Sequence, residues 1–194
     1  MVSTTTQQAS DLIWDAWQNG NVIAGLPGDC VPATRSAGYG IQGLLEDRTA
    51  QPIVGWKIAA TSTARQQHIG VDGPIAGRLL AERTFRERAA LKFGANRMAV
   101  AEPEFAFRFG SPIQPRDKPY TVDDVLASVS DLHLAIEVPD SRFSDFVSVG
   151  AANLIADNAC AHEFVLGPKA PSEWRELDLA KHTMTADVIV CFAR

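Results

Sequence analysis

Residues 101–109 read AEPEFAFRF, and the alternation of their side chains predicts a β-strand. Successive side chains on a strand point to opposite faces of the sheet. One face therefore carries Glu102, Glu104 and Arg108. The opposite face carries three aromatic side chains, which we expect to be buried: Phe105, Phe107 and Phe109.

The two glutamates of this strand indicate a cation site. On a helix Glu102 and Glu104 would lie about 200° apart, whereas on a strand their backbones are about 7 Å apart on one face. Two carboxylates this close repel each other unless a cation lies between them. Taken alone, the pattern fits a solvated strand face equally well.

A second predicted strand, residues 132–138, reads LHLAIEV and carries Glu137. Four apolar residues alternate along one face, and Glu137 lies on the other with His133 and Ala135. A glutamate in so apolar a strand is costly to bury without a partner. That partner is either a metal ion or an arginine, and Arg142 is the candidate arginine. We also expect Asp140 and Arg142 to form a structural ion pair at the strand end.

A third predicted strand, residues 53–59, reads IVGWKIA and carries Lys57. Val54, Trp56 and Ile58 face one way, and Lys57 faces the other way between the small residues Gly55 and Ala59. Small neighbours leave room for a ligand, and a lysine there is suited to proton transfer. The alternative is a lysine that extends along apolar surface and reaches solvent.

The rest of the chain predicts short strands with peripheral helices. Gly38 to Gly43 spell GxGxxG, but the required preceding strand and following acidic residue are missing, so we reject a dinucleotide site. The other predicted elements are helices over residues 7–18 and weakly 37–45, a capping box at 63–66 with Gly70 ending its helix, strands over 77–81 and 98–109, a helix starting at Thr121, and a strand over 188–192.

Length, charge and cysteine content exclude several classes of protein. The 194 residues fit one domain, which we divide into a helical part (1–50) and a β-rich part (51–194). A formal net charge of -5 argues against a nucleic-acid surface. The N-terminus resembles no secretion signal, and no apolar run approaches the ~18 residues of a membrane span. Three scattered cysteines do not predict a disulfide framework, so we expect a cytoplasmic protein.

Five motifs in order resemble the 2-keto-4-pentenoate hydratases, a branch of the fumarylacetoacetate hydrolase family. The resemblance implies an α+β fold, with a mixed β-barrel or β-roll flanked by helices, and a homo-oligomer. The motifs are GWKI (55–58), QHIGVD (67–72), EPE (102–104), EVPDSR (137–142) and ADNA (156–159).

The resemblance also implies a site and an activity. Glu102, Glu104 and Glu137 would hold Mg²⁺ or Mn²⁺, and Lys57 would be the active-site lysine. Carboxylates are hard oxygen ligands that suit these ions. The implied reaction is hydration of 2-hydroxypenta-2,4-dienoate, a small 2-oxo acid in its enol form, to 4-hydroxy-2-oxopentanoate in aromatic catabolism.

Two departures from the family pattern open alternatives. The hydratases carry an acidic and then an aromatic residue where this chain has Ile75 and Ala76. The related 2-oxo-3-hexenedioate (4-oxalocrotonate) decarboxylases are apolar there, so decarboxylation is an alternative. Family members also continue beyond the position of Arg194 through further strands. A catalytically inactive, truncated family member is therefore a third expectation.

Overall fold

A computed structural model of the chain describes residues 2–92, 94 and 96–185. The predicted strand over 188–192 lies outside the described residues. The helices are α1 (Thr4–Asn19), α2 (Arg35–Gly43), α3 (Thr63–His68), α4 (Val122–Ser128) and α5 (Ala151–Ala156). The strands are β1 (Ile53–Ala59), β2 (Ile75–Leu80), β3 (Thr84–Arg86), β4 (Glu102–Phe109), β5 (Val129–Val138) and β6 (Glu163–Lys169).

The strands form two sheets. β1 pairs with β2 in an antiparallel hairpin, and the second sheet has the order β3-β6-β5-β4. β3 is parallel to β6, while β5 is antiparallel to both of its neighbours, β6 and β4, so this sheet is mixed. The α+β class predicted from the sequence is confirmed. Over the part of the chain that the structure describes, these sheets are open and do not close into one barrel.

The N-terminal helices pack on α5. Ala9 and Ile13 of α1, Ile41 of α2 and Ala156 of α5 lie in one buried apolar cluster. The first glycine of the GxGxxG sequence, Gly38, lies within α2, where an added Cβ would come closer than 3.0 Å to a backbone atom of α5. These glycines therefore belong to a packed helix, as expected once a dinucleotide site is rejected.

Local chemistry moves two element boundaries from their predicted positions. Ser62, not Thr63, caps α3, because its side chain accepts from the Arg65 amide. β4 begins at Glu102 rather than at 98, since the amides of Arg97 and Met98 donate to the Asp140 carboxylate and not to a strand. The predicted helix start at Thr121 is confirmed, and Thr121 and Asp124 form a capping box there. Sequence patterns missed β3, β6 and α5.

The predicted faces are correct, but the predicted burial is partly wrong. Phe107 and Phe109 are 42% and 49% exposed, although we expected a buried aromatic face. Val54, Trp56 and Ile58 are each 53% exposed on the outer face of β1, opposite the buried Lys57. Alternation assigns side chains to faces, but it does not say which face the fold covers. No helix in the described ranges is long and apolar enough to cross a lipid bilayer.

Candidate metal and proton-transfer site

The pairing of β4 with β5 brings three glutamates together. Glu102 lies directly opposite Glu137, and Glu104 lies opposite Ala135, one pleat further along the same face. Residues opposite each other in an antiparallel pair share a face, with Cβ atoms about 4.5–5.5 Å apart. One carboxylate oxygen from each glutamate falls within 4.8 Å of the others. The alternation in the sequence placed Glu102 and Glu104 on one face, and the family resemblance grouped them with Glu137; the structure brings all three together.

Burial and mutual repulsion destabilise the charged form of this cluster. The pKa of Glu104 is raised, first by burial and then by the negative charges of Glu137 and Glu102. Burial also raises the pKa of Glu137, and the positive charge of Lys57 opposes that rise. Glu137 is only 3% exposed, while the other two glutamates are half-buried. A bound cation would relieve both the burial penalty and the repulsion.

Lys57 extends from β1 to this cluster. Its ammonium nitrogen lies 2.9 Å from Glu137 Oε1, and the side chains are 7% and 4% exposed. The lysine is therefore buried and does not reach solvent. Among the described residues, Glu137 Oε1 has no polar partner other than this ammonium group. A carboxylate oxygen with one such partner keeps a lone pair that can bind a cation.

A tight turn fixes the strand opposite Lys57. Gly77 of β2 pairs with Lys57, and an added Cβ on Gly77 would lie closer than 3.0 Å to the Asn158 backbone oxygen. Asn158, Ala159 and Cys160 all have positive φ, of 55°, 50° and 61°. The Asn158 side chain accepts from the backbone amide of β2 residue Arg78 at 2.6 Å and donates to its carbonyl at 2.9 Å. The ADNA motif thus holds β2 in place beside Lys57.

The arginine of the EVPDSR motif has a structural role. Arg142 forms a buried ion pair with Asp157, which also accepts from the Ser141 hydroxyl at 2.6 Å. The predicted Asp140–Arg142 side-chain pair is wrong, because Arg142 contacts only the carbonyl of Asp140 and its charge is balanced by Asp157. Pairing of Glu137 with Arg142 is wrong for the same reason. The buried network fixes the chain directly after β5.

Sequence reasoning did not assign any role to Arg65. This α3 residue places its guanidinium 3.0 Å from Glu102 Oε1, with its side chain 66% exposed. Arg65 lies 37 positions before Glu102 along the chain, and no periodicity relates the two residues. Only the three-dimensional structure could have revealed the contact.

The cluster fits a divalent cation. It offers three hard oxygen donors, and the buried Glu137 Oε1 has Lys57 as its one polar partner among the described residues. Within the described ranges, it is the one group of three or more His, Cys, Asp and Glu side chains close enough to bind a metal together. Lys57 lies beside these ligands but cannot itself bind the cation, because an ammonium group has no lone pair.

Curated proteins with similar sequences are hydratases and a decarboxylase. No protein-family model matches the chain. The 2-keto-4-pentenoate hydratase of Burkholderia vietnamiensis is 30% identical over 177 residues, which cover 88% of this chain and 65% of that protein. A 4-oxalocrotonate decarboxylase of a Pseudomonas species is 32% identical over 114 residues, 59% of this chain and 43% of that protein. The chain spans about 65% of the length of the hydratase.

A solved structure shares the fold. The 4-oxalocrotonate decarboxylase of Pseudomonas putida, complexed with magnesium and adipate, superposes with a TM-score of 0.77 at 25% identity. The match covers 92% of this chain and 69% of that one. Sequence and fold similarity thus point to the same proteins as the five motifs. The chain is a homologue of the 2-keto-4-pentenoate hydratases and the 4-oxalocrotonate decarboxylases.

Proposed function

We propose that this chain is a metal-dependent lyase that acts on a small 2-oxo acid. In this proposal Glu102, Glu104 and Glu137 hold one Mg²⁺ or Mn²⁺, and Lys57 moves a proton. The observation that carries the proposal is the cluster itself. Three carboxylate oxygens lie within 4.8 Å of one another, and an ammonium group lies 2.9 Å from one of these carboxylates.

The metal ligands and Lys57 have different roles in the proposed reaction. A bound divalent cation supplies positive charge that stabilises the enolate-like oxygen formed during ketonisation. Lys57 is buried against Glu137, and in this proposal its ammonium group donates a proton to the metal-bound ligand. The lack of a side chain on Gly77, directly across from Lys57, lets the Asn158 backbone pack against β2 on this face of the hairpin.

Hydration is the first candidate reaction. Several relatives that align with most of this chain are named 2-keto-4-pentenoate hydratases. In the proposed reaction, 2-hydroxypenta-2,4-dienoate ketonises and water adds to the conjugated double bond, which gives 4-hydroxy-2-oxopentanoate. The site residues can support the ketonisation step. Addition of water also requires a group that positions or deprotonates the water.

Decarboxylation of 2-oxo-3-hexenedioate is the second candidate, and Ile75 favours it. Ile75 pairs with Ala59, two residues from the Lys57–Gly77 pair, so it lies on the same face of the hairpin as Lys57. Its side chain is 2% exposed and packs in an apolar cluster. No carboxylate can therefore activate water from this position. A decarboxylase needs no water nucleophile, and the fold neighbour is a decarboxylase bound to adipate, a six-carbon dicarboxylate.

Two assays test the proposal. Purified protein is given 2-hydroxypenta-2,4-dienoate and, separately, 2-oxo-3-hexenedioate, with Mg²⁺ or with EDTA. We expect turnover that EDTA abolishes and that excess Mg²⁺ restores. Glu104→Gln should be inactive, while Glu176→Gln, an exposed glutamate outside the cluster, should retain activity. Product analysis separates 4-hydroxy-2-oxopentanoate from released CO₂. Absence of any metal-dependent turnover would contradict the proposal and favour an inactive protein.

A further inference from the structure

The guanidinium of Arg65 lies at the exposed edge of the carboxylate cluster. Its Nη1 donates to Glu102 Oε1 at 3.0 Å, and this is the one hydrogen bond of its side chain among the described residues. The Arg65 side chain is 66% exposed, whereas that of Glu102 is 21% exposed. The remaining guanidinium donors therefore face solvent at the entrance to the site.

The distances place Arg65 within reach of a metal-bound ligand. If Glu102 Oε1 binds a cation at about 2.0–2.2 Å, the 3.0 Å contact puts Arg65 Nη1 no more than about 5 Å from that cation. An oxygen of a second ligand would lie at a similar distance on another side of the metal. One guanidinium can therefore contact both Glu102 and that ligand, or release Glu102 and bind the ligand alone.

The charges of the site support this arrangement. The carboxylates of Glu102, Glu104 and Glu137 bring three negative charges, and Lys57 brings one positive charge. A divalent cation then neutralises the site. Binding of a 2-oxo acid adds one uncompensated negative charge in a half-buried position, which is unfavourable. The positive charge of Arg65 offsets it.

We propose that Arg65 is a substrate-binding residue that pairs with the carboxylate of a metal-bound 2-oxo acid, an inference that rests on the proposed function. A planar guanidinium binds a carboxylate through two parallel hydrogen bonds. Its present partner is easily exchanged, because an ion pair with so exposed an arginine contributes little to stability. Arg65 thus links α3 to recognition of the acid group common to all candidate substrates.

The test measures binding and needs no turnover. Mn²⁺ binding is measured by calorimetry, and then oxalate, a metal-chelating analogue of a 2-oxo acid, is titrated into the Mn²⁺-loaded protein. For Arg65→Gln we expect Mn²⁺ affinity within about threefold of wild type, and oxalate affinity lower by at least tenfold, or about 1.4 kcal/mol. Arg65→Lys should recover part of the loss, since it restores the charge without the planar fork.

Arg35→Gln is the matched control. Arg35 also forms a partly exposed ion pair, with Asp72, but its partner lies outside the carboxylate cluster. The Arg35→Gln variant should bind both Mn²⁺ and oxalate as wild type does.

Oxalate affinity of Arg65→Gln within twofold of wild type would overturn the inference. A tenfold loss of Mn²⁺ affinity in that variant would also overturn it, because Arg65 would then act on Glu102. Wild-type protein that binds no Mn²⁺ would instead refute the proposed function.

Discussion

The ammonium nitrogen of Lys57 lies 2.9 Å from Oε1 of Glu137, and both side chains are nearly excluded from solvent. This contact joins the β1–β2 hairpin to the four-stranded sheet at the centre of the candidate site. Removal of one partner from a buried ion pair leaves the other charge uncompensated, which typically costs about 3–5 kcal/mol. Substitution of either residue should therefore affect both the stability of the fold and the proposed reaction.

Lys57→Met separates the role of this lysine from that of the metal ligands. We expect kcat to fall more than tenfold, since the variant has no group that can transfer the proton, while Mn²⁺ affinity stays at least as high as in wild type. A steady-state assay with saturating Mg²⁺ and a calorimetric titration measure the two effects. If the variant keeps more than about a tenth of wild-type kcat, less than ~1.4 kcal/mol of the barrier depends on Lys57. The assigned role would then be wrong.

Glu104→Gln should show a pH-dependent gain in stability without metal. The raised pKa means that folded protein keeps a proton that the unfolded chain has lost. This glutamate therefore costs stability as pH rises from its ordinary pKa of 4.5 through the raised value. In EDTA, the variant should melt above wild type at pH 8, and the difference should vanish below about pH 4.

Two comparisons complete the Glu104 experiment. Glu176→Gln removes an exposed glutamate away from the cluster and should not reproduce the gain. With excess Mg²⁺ the order should reverse, because wild type gains stability from binding and the variant has lost a ligand. A variant that melts at the wild-type temperature at pH 8 in EDTA would show that Glu104 is not under electrostatic strain.

Asp157→Asn tests the buried network after β5. Asp157 accepts from the Ser141 hydroxyl and the Arg142 amide and pairs with the Arg142 guanidinium. We expect a loss of about 3–5 kcal/mol, or about 6–20 °C in melting temperature for a chain of this length. Asp72→Asn, which removes the exposed partner of Arg35, should cost less than about 1 kcal/mol. Equal losses in thermal unfolding would refute the assignment.

The exposed apolar row on β1 predicts self-association. Val54, Trp56 and Ile58 are each 53% exposed on adjacent positions of one strand face. Apolar side chains that remain contiguous and exposed commonly mark an interface. Light scattering should give a mass at least twice the 20.9 kDa of one chain, and Trp56→Lys should lower it. A wild-type mass of about one chain would contradict this prediction.

Much of the candidate site could be predicted from local sequence. The period of two on β4 and β5 placed Glu102, Glu104 and Glu137 on common strand faces, and the β4–β5 register then brought those faces together. The same alternation put Lys57 opposite the row that contains Trp56. These relationships depend on neighbouring residues and on the pleat, and both can be read from a single sequence.

The rest depends on contacts between distant segments. Arg142, which follows β5, pairs with Asp157 at the end of α5 rather than with Glu137. Arg65 of α3 contacts Glu102 of β4. The exposure of Phe107 has the same origin, since alternation gives its face but not what covers that face. Local sequence patterns do not predict contacts between distant segments, so the residues that support the site could be identified only from the structure.

A crystal structure grown in millimolar MgCl₂ tests the central claim most directly. We predict one Mg²⁺ bound by a carboxylate oxygen from each of Glu102, Glu104 and Glu137, at distances of about 2.0–2.2 Å, with waters completing an octahedron. The Lys57 ammonium should remain next to Glu137 and within reach of those waters. A high-resolution map with the three carboxylates turned apart and no cation between them would contradict the account.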